Sequence, residues 1–86
     1  MKAIIKEVRE EMDRAEAKFP GWPVDPIHGA AIVAEEAGEA LQAALDYYYD
    51  RSDERPLRKE LIHTAAMALR FLKNFDITML AQKHRE

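Results

Sequence analysis

The sequence predicts an all-α domain, and three observations carry that expectation. Apolar residues recur at steps of three and four along most of the chain. Prolines and turn-forming residues gather in two places, FPGWPVDP and RSDERP. No stretch alternates apolar and polar residues as a half-buried strand would, and there is no internal repeat or low-complexity segment. The 86 residues suffice for a single domain, 1–86, with one core.

From Lys2 to Phe19, Ile4, Val8, Met12, Ala15 and Phe19 mark one helical face. Lys6, Glu7, Arg9, Glu10, Asp13 and Arg14 mark the solvent side. FPGWPVDP ends this helix, because proline removes a backbone donor and restricts the residue before it, while Gly21 admits unusual dihedrals. Trp22 in that loop either caps the core or offers a flat surface to a ligand. A second helix is expected from Asp25 or Ile27 to Tyr49, with Asp25 as N-cap and Pro26 at the first helical position. Its alanines and Gly38 give a slim surface for close helix approach. A loop of about six residues follows, and Pro56 opens a third helix from Leu57 to about Phe75. Asp76 or Thr78 is expected to start a short last helix carrying Ile77, Leu80 and Ala81. Helices two and three then form an antiparallel hairpin with flanking helices.

Composition narrows the functional classes. The chain is 48% hydrophobic with interspersed charges of both signs, which is globular rather than disordered. A chain of this length buries only about 60–65% of its unfolded surface, so it gains from a partner or a ligand. With no cysteine it has neither disulfides nor a thiolate metal site, which suits a reducing cytoplasm. Oligomerisation or a bound metal is therefore the expected source of extra stability. The net charge of −3, without a basic stripe, argues against nucleic acid as a partner. No apolar run suits a signal peptide or a membrane span.

The chemistry concentrates in two segments. EEAGE places Glu35, Glu36 and Glu39 within one turn of each other on helix two. Their neighbours Ile32, Val33, Ala34, Ala37, Ala40 and Leu41 are expected to be largely buried. Acids bordering an apolar surface call for a counter-charge, and oxygen ligands suit a hard cation such as Mg²⁺. An isolated EExxE is also common on plain exposed helices. ELIH supplies a second pair one turn apart, Glu60 and His63, with Met67, Arg70 and Asn74 continuing that side. Leu57, Leu61, Ala65, Leu69 and Leu72 line a different, apolar face. His63 alone reads equally as a histidine bonded to a neighbouring carboxylate. In a level hairpin the two acidic pairs are offset by about one turn, so their spacing permits convergence without requiring it.

EEAGEALQAALD followed by KELIHTAAMALRFL resembles the EExxE…ExxD double motif of MazG-like nucleotide pyrophosphohydrolases, members of the all-α NTP pyrophosphatase superfamily. RAEAKFP and PIHG upstream are similar to phage and prophage members of that group. The likeness spans roughly Ala15 to Asn74. It implies hydrolysis of a nucleoside triphosphate to monophosphate and pyrophosphate with Mg²⁺. It further implies Glu36, Glu39 and Glu60 as metal ligands, with Glu35 positioning the attacking water or a second ion. His63 stands where the family pattern has Asp. That substitution removes one charge and offers a nitrogen ligand, so Mg²⁺ loses more affinity than Mn²⁺ or another transition metal; a cationic His63 on phosphate and a degenerate, inactive site are the alternatives. Arg70 and Lys73 are candidates for the phosphate tail or, equally, solvent-facing charges. Trp22 and Tyr47 to Tyr49 are candidates for stacking on a base, with at least one tyrosine expected at a subunit interface. A homodimer or homotetramer built from four-helix bundles is the implied assembly.

Two other classes fit parts of the pattern. Glu60-x-x-His63 with Glu36 or Glu39 matches the ligand element of ferritin-like carboxylate bundles. A non-catalytic helical interaction module treats the acids as surface decoration.

Overall fold

The computed structural model describes the backbone of residues 1–85 and the side chains of residues 1–77. Three helices make up the fold, α1 (Lys2–Lys18), α2 (Pro26–Tyr49) and α3 (Arg55–Arg85), and the described residues contain no strand. The all-α expectation is thereby met.

Local chemistry accounts for most of the boundaries. Asp25 caps α2, its side chain accepting from the Ile27 amide at 2.9 Å, and Pro26 follows where no donor is needed. Asp53 does the same for α3, accepting from the Arg55 amide at 2.9 Å. Residues 50–54 turn the chain between α2 and α3, with Arg51 in the left-handed region at φ 54°. Gly21, at φ 88°, supplies the conformation that turns the chain after Pro20.

The expected fourth helix does not form, and α3 instead runs unbroken through Phe75, Asp76 and Ile77. No proline or glycine interrupts that stretch, and a capping residue favours a helix start without preventing continuation. The anticipated apolar roles of Leu80 and Ala81 lie outside the described residues.

α3 is the central element. α2 packs along one side of it and α1 along another, and among the described residues α1 and α2 make no comparable contact with each other. Val8, Ala15, Ala66 and Met67 form the buried cluster, flanked by Met12, Trp22, Ile32, Val33, Ile62 and Ala65. No large side chain in it is fully buried. The chain exposes 6775 Å², whereas a compact monomer of this mass exposes about 5200 Å².

The excess is partly explained by which face of α3 turns inward. Ala66, Met67 and Arg70 are buried, whereas Leu61, Leu69 and Leu72 are 53%, 44% and 57% exposed. The polar stripe expected on α3 therefore lies inside, and the leucine stripe outside. A related correction applies to α2. Ala40 is buried and Ile32 and Val33 are half-buried, but Ala34, Ala37 and Leu41 are exposed. Two apolar grooves share Ala68 and Leu72, so the outer face is continuous from Ile4 and Ile5 on α1 to Ala34 and Ala37 on α2.

Arg70 fastens the loop after α1 to this frame. It is only 4% exposed and donates to the Phe19 carbonyl at 2.8 Å and the Gly21 carbonyl at 3.0 Å. Its guanidinium lies 5.2 Å from the Trp22 ring, which stacks on Phe71 at 5.8 Å. Gly29 allows this packing, since a Cβ there would sit 2.8 Å from Trp22 Nε1 and 3.2 Å from Phe71.

Candidate metal centre

Each helix sends one acidic side chain toward His63. On α3 itself, Glu60 Oε2 is 3.9 Å from His63 Nδ1. From α2, Glu36 Oε2 is 4.0 Å from the same nitrogen. From α1, Glu11 Oε2 is 3.6 Å from Nε2 on the opposite edge of the ring. Glu36, Glu60 and His63 each offer a ligand atom, and these atoms all lie within 4.8 Å of one another. The axial offset anticipated for a level hairpin does not keep Glu36 and Glu60 apart. All three side chains are only partly accessible.

The two glutamate oxygens that meet here face His63 Nδ1 at ion-pair distance only. Glu36 Oε2 and Glu60 Oε2 are buried atoms without a hydrogen bond. Such orphaned acceptors are costly unless a proton or a cation satisfies them. Burial raises the Glu36 pKa, and the nearby Glu39 charge raises it further. Burial, then hydrogen bonding and repulsion from Glu39, raise Glu60 in the same sense. Glu11 behaves in the opposite way. Arg14 holds its carboxylate with bonds of 2.8 and 2.5 Å and lowers its pKa. Two oxygens and one imidazole nitrogen form a donor set suited to Mn²⁺, Fe²⁺ or Zn²⁺ as well as to harder ions, so the residues present fit a divalent metal.

The other expected site residues fall in different places. Glu39 is exposed and borders Glu60 at the mouth of an acidic groove with Asp46 and Asp50. Glu35 is exposed and stands outside the group of three. Trp22 lines a groove of about 630 Å³ together with Glu36 and Arg70. Arg70 faces inward rather than to solvent, with donors committed to the Phe19 and Gly21 carbonyls. Lys73 sits ten positions beyond His63, about 15 Å along the helix, and pairs with Glu16 at 3.6 Å. Tyr47, Tyr48 and Tyr49 are exposed near the end of α2.

Glu11 and a basic groove were not anticipated. Val8, Glu11 and Ala15 follow steps of three and four, which places Glu11 on the inner face of α1. That spacing is the signal that identifies it. A groove of about 700 Å³ beside His63 is lined by Arg14, Arg55, Arg58 and Lys59 together with Glu7, Glu10 and Glu11. Its cations come from two helices, so no linear motif announces it.

No family model, curated protein or solved structure matches this chain. Fold and site together define a three-helix protein with a Glu/Glu/His cluster between its helices. Among the described residues no helix is long and apolar enough to cross a membrane.

Proposed function

We propose that the chain is a metal-dependent nucleoside triphosphate pyrophosphohydrolase, releasing a monophosphate and pyrophosphate. The observation that carries this reading is the meeting of Glu36, Glu60 and His63, with two buried carboxylate oxygens that make no hydrogen bond. A divalent cation bound there supplies Lewis-acid charge neutralisation for a triphosphate. Glu36, Glu60 and His63 are its ligands, with Glu39 at the edge available to a second ion. Glu35 remains the candidate for orienting the water that attacks phosphorus. The groove beside His63 offers Lys59 to the phosphates, its Arg14 and Arg58 being engaged by Glu11 and Glu7. On the Glu36 side, Trp22 borders a groove for the base, its ring kept in place by Arg70 and Phe71. The assembly that fits the continuous apolar face is a homodimer or homotetramer packed as four-helix bundles, burying Leu61, Leu69 and Leu72.

The experiment is direct. Pure protein is incubated with a panel of nucleoside triphosphates and Mg²⁺ or Mn²⁺, and pyrophosphate is measured. Turnover should appear, and Glu36→Gln or Glu60→Gln should reduce it by about 100-fold or more. No turnover on any nucleotide with either metal removes the proposal.

One observation favours a second reading. Glu60 and His63, spaced as Glu-x-x-His, both face Glu36, as in carboxylate bundles that hold iron. Iron in the purified protein, with oxidation of added Fe²⁺ under air, would select that reading over nucleotide hydrolysis.

A further inference from the structure

His63 is approached from both edges of its ring, and the two edges differ in kind. Nδ1 faces Glu36 and Glu60, whose inner oxygens are buried and make no hydrogen bond. Nε2 faces Glu11, a carboxylate already engaged by Arg14 through both oxygens. A neutral imidazole carries one proton. The group that takes a hydrogen bond from one nitrogen therefore decides that the other presents a lone pair. An ionised carboxylate attracts an N–H far better than it faces a lone pair.

We propose that Glu11 is a positioning residue: it holds the proton of His63 on Nε2 and leaves the Nδ1 lone pair directed between Glu36 and Glu60, toward a divalent cation. This inference rests on the metal-site reading above and adds α1 to it. The 3.6 Å separation between Nε2 and Oε2 is longer than a formed hydrogen bond. Such bonds commonly tighten when a site is filled. Arg14 fixes the carboxylate so that it neither rotates away nor takes up the histidine proton. A carboxylate behind a ligating histidine orients the ring and raises its basicity, and its loss typically weakens metal binding 10–100-fold.

The test reads the histidine itself. The full-length protein is labelled with ¹⁵N, and the His63 ring nitrogens are recorded at a pH where the ring is neutral, with and without Zn²⁺. Zn²⁺ binding is also measured by calorimetry. Wild type should show the proton on Nε2, and Zn²⁺ should shift Nδ1. Glu11→Ala should mix the two tautomers and weaken Zn²⁺ binding about 10–100-fold. Glu11→Gln keeps the size and an acceptor oxygen and should recover part of both effects, with circular dichroism confirming helical content in each variant. Zn²⁺ bound through Nε2 in wild type, or an unchanged tautomer and affinity in Glu11→Ala, overturns the role of Glu11 alone. Failure of Zn²⁺ to bind wild type or to move its His63 signals overturns the metal reading and this inference with it.

Discussion

The two faces of α3 differ in how they mix polar and apolar residues. The inner face joins Glu60, His63 and Arg70 to the apolar Ile62, Ala66 and Met67, while the outer face carries Leu61, Ala68, Leu69 and Leu72. Burying arginine and half-burying histidine and glutamate while leaving leucines in water costs free energy unless each face meets something more. On the inner face, Arg70 donates through one nitrogen to two loop carbonyls, while its Nε, 3.4 Å from Glu16, makes no hydrogen bond. Glu36 Oε2 and Glu60 Oε2 make none either, and a proton or a cation would complete them. The outer face would be completed by a second copy. The contrast teaches that hydrophobic periodicity identifies two stripes on a helix, whereas the chemistry of the surroundings decides which one turns inward.

The largest expected effects come from breaking the outer face. Leu69→Glu combined with Leu72→Glu should convert an oligomer into monomer in light scattering, with much of the fold lost at low concentration. A wild-type chain that is already monomeric would remove the role proposed for that face. Next in size is completion of the inner face. At a hundred times its dissociation constant, a bound cation stabilises by about 2.7 kcal/mol, about 10–20 °C for a domain of this size. That shift should vanish in Glu60→Gln. Arg70→Ala should cost about 1–3 kcal/mol in urea unfolding, since two part-buried loop carbonyls lose a charged donor. Gly29→Ala should lose about 1–2 kcal/mol, because the added methyl meets Trp22 and Phe71.

The smallest effect is a pH dependence that sharpens the contrast within the inner face. Glu36 and Glu60 have folded pKa values raised above 4.5, so the native state binds the extra protons. Metal-free stability should therefore fall as pH rises from about that value through the raised ones. Glu11 is lowered, so its contribution is present above 4.5 and is lost as pH falls. Glu60→Gln should flatten the first trend and raise metal-free stability at neutral pH by roughly 0.5 kcal/mol. Thermal melts across the pH range, with chelator present, measure both signs.

Much of this was legible in the residues. Asp25, Pro26 and Pro56 mark helix starts, and the 3–4 periodicity marks the helices themselves. Glu36, Glu60 and His63 stand out by spacing, and the structure brings them together. The inversion of α3 was not legible, because two stripes of similar regularity compete and neither names its neighbour. Arg70 is a second instance, since its partners are backbone carbonyls some fifty positions away, which side-chain patterns do not encode. Glu11 is masked by the charges around it on α1, and only its place between Val8 and Ala15 sets it apart. The length of α3 is obscured because Asp76 resembles a helix start, although nothing there stops the preceding helix.

α1 reaches the remainder of the molecule through α3, with no comparable contact to α2. Its hold includes Val8, Ala15 and half-buried Met12, the Glu7–Arg58 pair at 2.9 Å, Glu11 beside His63, and Glu16 beside Arg70 and Lys73. Val8 and Ala15 are half of the buried cluster, so release of α1 would expose Ala66 and Met67 as well. Opening would carry Glu11 away from His63 and uncover the groove beside it. The amide protons of α1, which packs on α3 alone, should exchange with solvent sooner than those in the middle of α3, as hydrogen exchange would measure.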